Sequence, residues 1–359
     1  MTKFKSIALI ALAGVFLQSC SNDDDGPNND PEKGNYSKGI FVLNEGSFSS
    51  SNAEITYFDP TKDVSTTNPI QEIFKTANAG AQLGSVGQSM YFKGNKAYIV
   101  LNVSNKVEVV DNTTFKKIST IPSSVNMSNP RYIVSDDQFL YISNWGDPNI
   151  TTDDFVAKYK ISDLSFVEKY KVDEGPEKMV LENNKLYVAQ KGGWGTGKTV
   201  SIIDLKTSDK KSINVGDVPT DLTIQNGNLF VLSQGVSYGN NTTKGKLVRY
   251  NLTSEDKLEM NFPEGQHPNF LVAENSKLYY IVNNSVYSMA TNATALPTKA
   301  DYITGAENVY GFNVKGDTFY VLDSKDNKSS GRLFIQNAQG GLKYQTIVTG
   351  LFPNSVYIK

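Results

Sequence analysis

The sequence predicts an all-β fold, a seven-bladed β-propeller built from four-stranded blades, and three observations lead to this prediction. An aromatic residue at the head of an apolar strand recurs seven times, at intervals of 41 to 57 residues. A second pattern, usually a Pro followed by a short strand, precedes most of these aromatic residues. The chain also opens on one pattern and closes on the other. A period of about 40–50 residues with several strands per unit is typical of β-propellers.

Each repeat supplies four strand patterns in a fixed order. The aromatic residue marks the second strand, and the seven such residues are Phe41, Tyr98, Tyr141, Tyr187, Phe230, Tyr279 and Tyr320. The Pro pattern marks the first strand, as at Pro130, Pro176, Pro219 and Pro268, and degenerate copies stand at 84–86 and 307–309. Third and fourth strands follow, for example over 107–111 and 117–121, and four strands make one blade.

The two chain ends predict how the ring closes. The chain begins on a second strand at Phe41 with no Pro pattern before it, and it ends on an unmatched Pro pattern over 353–359. We therefore expect the C-terminal segment to be the innermost strand of the first blade, which removes the free sheet edges of an open array. A β-sandwich or a β-solenoid is the alternative, and the complementary ends disfavour both.

Residues 1–19 are interpreted as a lipoprotein signal peptide. Lys3 and Lys5 precede an apolar stretch over 7–16, which is too short to span a bilayer as a helix. The stretch ends in 17–20, Leu-Gln-Ser-Cys, which resembles a bacterial lipobox although Gln18 departs from its usual pattern. This resemblance implies cleavage before Cys20 and attachment of lipid to its thiol. An ordinary secretory signal with an incidental Cys is the alternative.

Residues 20–37 are predicted to be the lipidated Cys and a flexible acidic tether, and residues 38–359 the propeller. No large apolar side chain occurs between Cys20 and Tyr36, so this stretch cannot bury enough surface to order itself. The acidic run Asp23–Asp25 resembles the surface-export signal of Bacteroidota lipoproteins. That resemblance implies an outer-membrane protein, anchored through lipid only and facing the cell exterior; a merely solubilising linker is the alternative.

Composition limits the function classes. With 35 Lys and Arg against 37 Asp and Glu, the net charge is −2 and leaves no basic footprint for nucleic acid. The single His argues against a Ser-His-Asp triad, and the single Cys excludes intramolecular disulfides and Cys₄ zinc sites. We identify no catalytic constellation and predict neither a cofactor nor a metal site.

The repeat itself resembles a known family. The Pro pattern, the Leu-Tyr-Val core at 186–188 and the strand ending in Asp204 are similar to those of YncE-like seven-bladed propellers, over residues 38–359. With the signal segment, the chain resembles BtuG-type cobalamin-binding surface lipoproteins of Bacteroidota. The resemblance implies a small-molecule ligand, cobalamin or a related corrinoid, and a TonB-dependent transporter as partner. A propeller hosts many functions, so the ligand is specified far less closely than the fold.

The candidate ligand-binding residues lie where loops enter the first strand and leave the second, on one face of a propeller. The exit loops contribute Asn44, Glu45, Asn102, Asn144, Trp145, Gln190, Trp194, Gln234, Tyr238 and Asn283, and the channel mouth contributes Arg131, Lys178, Asp221 and Asn269. Amides can donate to and accept from a polar ligand, and loop aromatics suit stacking on a large one. Alternatively, Asn is an ordinary turn former and the aromatics cover blade edges.

Three further patterns are interpreted as structural. Residues 192–199 match a P-loop, but the β-branched run that follows predicts a strand rather than the required helix. His267 is expected to be a loop residue near the channel mouth, and 323–327 a polar turn rather than a calcium loop. The long first interval, around 68–74, is expected to hold a short helix, either a lid or an ornament.

Three functions follow from these observations. The first is a non-catalytic surface receptor that binds a nutrient and passes it to a transporter. The second is an exported carbohydrate-active lyase or hydrolase, and the third is a protein–protein scaffold. An exposed apolar patch would indicate the scaffold, whereas a concave site would indicate a small ligand.

Overall fold

The computed structural model describes residues 34–62, 68–337 and 346–359. In these ranges the chain forms seven antiparallel sheets, each joined to its neighbours through its innermost strand, so that the seven make a closed ring. The predicted all-β, seven-bladed propeller is confirmed. Residues 1–19, Cys20 and most of the tether lie outside the described residues.

The strands of the first four blades follow one another along the chain. The first blade contains β1 (Ile40–Asn44) and β2 (Glu54–Phe58). The second contains β3 (Gly87–Lys93), β4 (Lys96–Leu101), β5 (Lys106–Asp111) and β6 (Lys117–Ile121). The third contains β7 (Pro130–Ser135), β8 (Phe139–Asn144), β9 (Phe155–Lys160) and β10 (Phe166–Lys171). The fourth contains β11 (Pro176–Glu182), β12 (Lys185–Gln190), β13 (Thr199–Asp204) and β14 (Lys210–Asn214).

The last three blades repeat the order, and a final strand returns to the first blade. The fifth blade contains β15 (Pro219–Gln225), β16 (Asn228–Ser233), β17 (Lys246–Asn251) and β18 (Lys257–Asn261). The sixth contains β19 (Asn269–Glu274), β20 (Lys277–Val282), β21 (Ser285–Ala290) and β22 (Tyr302–Ile303). The seventh contains β23 (Val309–Lys315), β24 (Thr318–Asp323), β25 (Arg332–Asn337) and β26 (Ile347–Val348), and β27 (Pro353–Ile358) ends the chain.

The core lies between blades, and the two-residue period of a strand explains why. In β12, Leu186 and Val188 pack against the third blade, whereas Tyr187 and Ala189 pack against the fifth. Successive side chains of a strand point to opposite faces, so a second strand that is apolar at every position can serve both interfaces. This accounts for the recurring aromatic-led apolar strand of the sequence.

Ring closure takes the predicted form. Strand β27 pairs antiparallel with β1, with Val356 opposite Val42, and becomes the inner strand of the first blade. The backbone N–H of Gly39 donates to the carbonyl of Lys359, which extends the pairing of the two strands by one residue beyond Ile40 and Ile358. The first and last segments of the described chain are therefore held in one sheet.

The first blade departs from the four-strand pattern at its outer edge. Among the described residues, a single bridge between Tyr57 and Ile70 stands where a fourth strand would run. The short helix α1 (Ile73–Ala77) follows, and Ile73 and Phe74 are buried against Tyr36. The expected helix thus fills the blade edge and is core rather than a lid. Because Tyr36 is buried too, the folded core reaches into the stretch assigned to the tether.

Within the described residues, no helix combines the length and apolar character that a membrane crossing requires.

The closure can be tested at Val356. This side chain is buried between the first and seventh blades, so Val356→Asp places an unpaired carboxylate in that interface. We expect the free energy of unfolding to fall by about 3 kcal/mol or more, seen as a melting temperature lowered by about 5 °C or more. Ser355→Asp is the matched control, because successive side chains of a strand point to opposite faces and Ser355 is half-buried outside the cluster that contains Val356. Equal melting temperatures for the two variants would contradict this closure.

Candidate functional site

A repeated backbone hydrogen bond ties the loops of one face together. The residue that follows the second strand donates its N–H to a carbonyl just before the first strand of the same blade. The six pairs are Glu45–Phe352, Asn102–Val86, Trp145–Asn129, Lys191–Gly175, Gln234–Val218 and Ser324–Asn308, at 2.8 to 3.1 Å between nitrogen and oxygen. In these six blades the entry loop therefore lies against the exit loop of its own blade, and we term these loops together the rim.

The rim contains strained backbone at equivalent points. Val86, Val218 and Phe352, each an acceptor in these pairs, have φ between 53° and 58°. Left-handed backbone is unusual for β-branched and bulky residues, and costs on the order of 1–3 kcal/mol where it persists. Left-handed residues also recur in the hairpins between third and fourth strands, as at Phe115 and Leu164, so this strain belongs to the repeated turns of the blades.

The inner strands are irregular at the same point. In all seven blades the register between the first and second strands shifts at the channel mouth, as in β11, where Glu177 and Lys178 together oppose the single residue Ala189. A bulge of this kind sets two residues of one strand against one of its partner and re-aims their side chains. Consecutive side chains consequently line a channel cavity of about 680 Å³.

Two ion pairs cross the wall of this cavity from blade to blade. Arg131 donates from Nε and Nη2 to the carboxylate of Glu177, with the closest contact at 2.9 Å. Lys178 donates to Asp221, whose carboxylate also accepts the N–H of Leu271. Burial raises the pKa of the Asp221 carboxyl, and the nearby Lys178 ammonium opposes that shift. Both cations are thus neutralised by neighbouring carboxylates.

A third carboxylate completes the opposite side of the channel mouth. Glu45 accepts hydrogen bonds from Asn354 at 3.0 Å and from the Tyr310 hydroxyl at 3.1 Å. Burial raises the pKa of the Glu45 carboxyl, although both hydrogen bonds lower it. The channel wall therefore offers fixed hydrogen-bonding groups and two paired cations, and Lys191 adds a further cation to its lining.

Two tryptophans stand beside the ion pairs and differ in exposure. Trp145 is 8% exposed and donates from Nε1 to the Pro176 carbonyl at 3.2 Å. The Arg131 guanidinium lies over its ring, 4.3 Å from the ring centroid. Trp194 is 72% exposed and meets Trp145 edge-on, with ring centroids 5.8 Å apart. Trp145 therefore covers the blade edge, as the alternative interpretation holds, and supports an exposed Trp194.

Glycine makes the position of the Trp194 loop possible. At Gly175, which has a φ of 68°, an added Cβ would lie 1.9 Å from the backbone nitrogen of Gly193. Any other residue would push this loop off the rim. Tyr238 and Phe48, in the corresponding loops of other blades, are also exposed. Together Trp194, Tyr238 and Phe48 form what we term the aromatic rim.

The structure separates the predicted residues into three groups. Those that line the cavity are Arg131, Lys178, Asp221, Gln234 and Asn269. Glu45 does not line it, but accepts a hydrogen bond from Asn354, which does. Trp194, Tyr238 and Asn283 are exposed on the loops, the last in a two-Asn turn. Trp145 is buried beneath Trp194, and the remaining amides Asn44, Asn102, Asn144 and Gln190 are buried.

The four buried amides do not point into the cavity, contrary to the expected amide ring. Asn144 accepts the N–H of Ser128 and donates to the carbonyl of Ile142, and Gln190 donates to Ser201. Asn44 donates to Thr56, and Asn102 to the carbonyl of Pro130. Asn44, Asn144 and Gln190 are the last residues of their second strands and bond mainly within their own blades, whereas Asn102 bonds to the first strand of the next blade. These amides are therefore structural.

Sequence reasoning missed several cavity residues, namely Ser89, Tyr132, Glu177, Asn313, Asn354, Ser355 and Tyr357. Four of them stand one or two residues after a Pro that the sequence marks, namely Tyr132, Glu177, Asn354 and Ser355. Taking both positions after every Pro would have found them.

The other patterns are structural. The P-loop-like segment runs into β13 at Thr199 and not into a helix. His267 Nδ1 lies 3.0 Å from the carbonyl of Gln234 in the neighbouring loop. The buried carboxylate of Asp323 accepts the N–H groups of Asn308 and Lys325, which makes its segment a turn. Among the described residues, no group of three or more His, Cys, Asp and Glu side chains is arranged to hold a metal.

The comparisons with known proteins bear on family and fold. A sequence profile described as "Domain of unknown function (DUF5074)" matches residues 38–355. No curated protein sequence matches the chain.

Three solved structures share the fold at low identity. A quinoprotein alcohol dehydrogenase-like protein of Bacteroides thetaiotaomicron superposes with a TM-score of 0.66 at 14% identity, over 90% of this chain and 79% of its own. A hypothetical selenium-binding protein of Sulfolobus tokodaii gives 0.66 at 12%, over 90% and 94%. A functionally unknown protein of Desulfotomaculum acetoxidans gives 0.62 at 12%, over 89% and 98%. At such identities the likeness shows the propeller fold alone.

The buried carboxyl of Asp154, beneath the Trp194 loop, has a raised pKa and should make the free energy of unfolding depend on pH. Asp154 accepts the N–H of Gly175 at 2.9 Å, and Gly175 in turn holds Lys191 at the start of that loop. Burial is the main cause that raises the pKa of the Asp154 carboxyl to about 7, and the nearby Asp153 and Glu174 contribute to this shift. Between about pH 4 and 7 the folded protein therefore keeps a proton that the unfolded chain releases.

Asp154→Asn should remove this dependence. The free energy of unfolding of the unmodified protein should fall as pH rises through that window, whereas the Asn side chain keeps the bond to Gly175 without a charge to bury. We expect Asp154→Asn to be more stable than the unmodified protein at pH 8, by up to about 4 kcal/mol. Chemical denaturation at pH 5 and pH 8 measures this difference. Asp153→Asn, at an exposed neighbour, removes only a smaller cause of the shift and should retain most of the pH dependence. An Asp154→Asn variant with an unchanged pH slope would refute the raised pKa.

Proposed function

The chain belongs to the DUF5074 family, and we propose that it is a non-catalytic receptor that binds a small-molecule nutrient at the channel mouth. The observation that carries this proposal is the exposed Trp194. Its ring contacts Trp145 edge-on. Trp145 is itself held by a cation–π contact with Arg131 and by a hydrogen bond to the Pro176 carbonyl. A large aromatic side chain that is 72% exposed yet fixed from below is suited to stack on a ligand.

The channel below the aromatic rim supplies complementary chemistry. Its volume of about 680 Å³ is in the range of ligand sites. Asn269 and Gln234 line it beside the two ion pairs, so amide donors and acceptors lie close to an apolar rim. A ligand that is flat on one side and rich in amides or hydroxyls on the other would use both surfaces.

Cobalamin or a related corrinoid is the ligand that we propose, on the strength of the resemblance to BtuG-type lipoproteins. A corrin ring offers a large planar surface and carries amide side chains at its edge. The ring would lie against Trp194 and Tyr238, and the amides would reach the polar channel. A TonB-dependent transporter would then receive the ligand, and Cys20 would anchor the receptor by lipid to the outer membrane, facing outward.

The ligand can be tested directly with cyanocobalamin. A chain that begins at Ser21 keeps every residue that the structure describes and lacks the lipidated Cys. Cyanocobalamin should co-elute with it from a desalting column, and ligand at about 100 times Kd should add roughly 2.7 kcal/mol to the free energy of unfolding. If cyanocobalamin does not bind, the corrinoid ligand is wrong; polysaccharide turnover by the same preparation would instead favour the lyase or hydrolase.

Trp194→Ala should weaken cyanocobalamin binding about tenfold or more, because it removes the stacking surface. The melting temperature of the free protein should stay unchanged, since the side chain is exposed. Phe166→Ala is the matched control: it removes another exposed aromatic residue, from the outer strand β10, and should leave Kd unaltered. Isothermal titration provides both values, and equal affinities for the two variants would exclude Trp194 from the site.

The proposed anchor depends on one thiol. Cys20→Ala should abolish incorporation of labelled fatty acid and release the protein from the membrane fraction, whereas Ser21→Ala should change neither. Fatty acid incorporated into the Cys20→Ala variant would show that this residue is not the lipid site.

A further inference from the structure

The channel cavity contains one cation that has no ionic partner. Lys191 lines this cavity together with Arg131 and Lys178. The other two cations are paired, Arg131 with Glu177 and Lys178 with Asp221. In the part of the chain that the structure describes, the Lys191 ammonium forms neither an ion pair nor a hydrogen bond. The amides and the aromatic rim of the receptor site leave this charge without a role.

Lys191 is held at a fixed point of the rim. It directly follows β12, and its backbone N–H donates to the carbonyl of Gly175 at 2.8 Å. Five other blades place a residue at the same point through the same hydrogen bond, and none of these residues is a cation: they are Glu45, Asn102, Trp145, Gln234 and Ser324. The blade repeat therefore does not require a lysine here, and the charge of Lys191 needs a local explanation.

The carboxylates near this loop do not neutralise Lys191. Asp217 pairs with Lys198, with 3.4 Å between oxygen and nitrogen. Glu174 lies beneath the loop, where a Cβ added at Gly193 would be 3.3 Å from its Oε1, and among the described residues it forms no ion pair with Lys191. Because Lys191 is only half-buried, its ammonium stays accessible to an anion that enters the cavity.

The same loop presents an aromatic ring and an ammonium. Trp194 follows Lys191 by three residues, within the loop that Gly175 holds. The ring is exposed on the rim, whereas Lys191 lines the cavity. Lysine is a compact point charge with three N–H donors, which suits the oxygens of a phosphate group. A planar ligand stacked on Trp194 would therefore have a cation within its reach for a phosphate group.

We propose that Lys191 is a specificity-determining residue that binds a phosphate group of the ligand, an assignment that rests on the proposed receptor function. Cyanocobalamin carries such a group, the phosphodiester of its nucleotide loop, and the positive charge of its cobalt–corrin centre balances that anion. A hydrogen bond between two charged groups is stronger than one between neutral groups. Lys191 would therefore discriminate between complete cobalamins and corrinoids that lack the nucleotide loop.

Cyanocobalamin and dicyanocobinamide test this assignment, because dicyanocobinamide keeps the corrin ring but lacks the nucleotide loop. Isothermal titration with the chain that begins at Ser21 gives both dissociation constants. The unmodified protein should prefer cyanocobalamin, and Lys191→Met should reduce that preference about tenfold by weakening the binding of cyanocobalamin. The melting temperature of the free variant should stay unchanged, because no ion pair is lost. A preference that Lys191→Met leaves unaltered would overturn the proposal.

Lys244→Met is the matched control. Lys244 is exposed on the exit loop of the fifth blade, forms no ion pair among the described residues and does not line the cavity. Its replacement removes the same charge from the same face and should leave the preference for cyanocobalamin intact. An equal reduction in Lys244→Met would assign the effect to the overall charge of this face and overturn the role of Lys191.

A pair of probes without a corrin ring separates this proposal from the choice of ligand. If cyanocobalamin does not bind, the corrinoid is wrong, and phenyl phosphate and phenol then decide the role of Lys191 by ligand-observed NMR titration. The unmodified protein should bind phenyl phosphate at least about fivefold more tightly than phenol, and Lys191→Met should bind both equally. Equal affinities in the unmodified protein, no binding of either probe, or a preference that survives Lys191→Met would overturn the assignment as well.

Discussion

The loop face of this protein depends on the hydrogen bonds between β27 and β1. Without β27 the first blade would keep two strands among the described residues, and the inner edge of the ring would be open. The same strand carries Asn354 into the channel, where its amide donates to Glu45 and to the carbonyl of Gly87 in the next blade. The strand that closes the ring therefore also forms part of the channel mouth.

The rim gains its rigidity from a bond that repeats rather than from one strong contact. In six of the seven blades the exit loop is tied to the entry loop of the same blade, and left-handed residues such as Val86 and Val218 stand at the acceptor position of these ties. A rim fixed in this way does not have to be ordered when a ligand arrives, so less binding free energy is lost to conformational entropy. Trp194 is presented on that fixed support.

The sequence determined the blade number, the ring closure and four channel positions, because all of these follow from strand periodicity and from the Pro that opens an inner strand. It could not determine which way the amides face, because a strand pattern does not mark its last residue: Asn44, Asn144 and Gln190 still belong to their strands and not to the loops. The sequence also did not separate the two tryptophans, since both occur in exit loops of neighbouring blades. Trp145 directly follows its strand and folds inward, whereas Trp194 comes four residues after Gln190, within a glycine-rich loop, and remains outside.

The charge pattern of the channel bears on what it can hold. Arg131 and Lys178 each face a carboxylate on the neighbouring blade, and burial shifts Glu45 toward its neutral form. Lys191 also lines the cavity and adds a cation to its wall. An ionic ligand that displaced one of the two pairs would leave its partner charge buried, which costs several kcal/mol. A neutral ligand with amides or hydroxyls needs no such displacement, since the side chains of Asn269 and Gln234 line the cavity beside the pairs. The two ion pairs and the aromatic rim therefore support the proposal of a large, partly planar ligand that is uncharged overall.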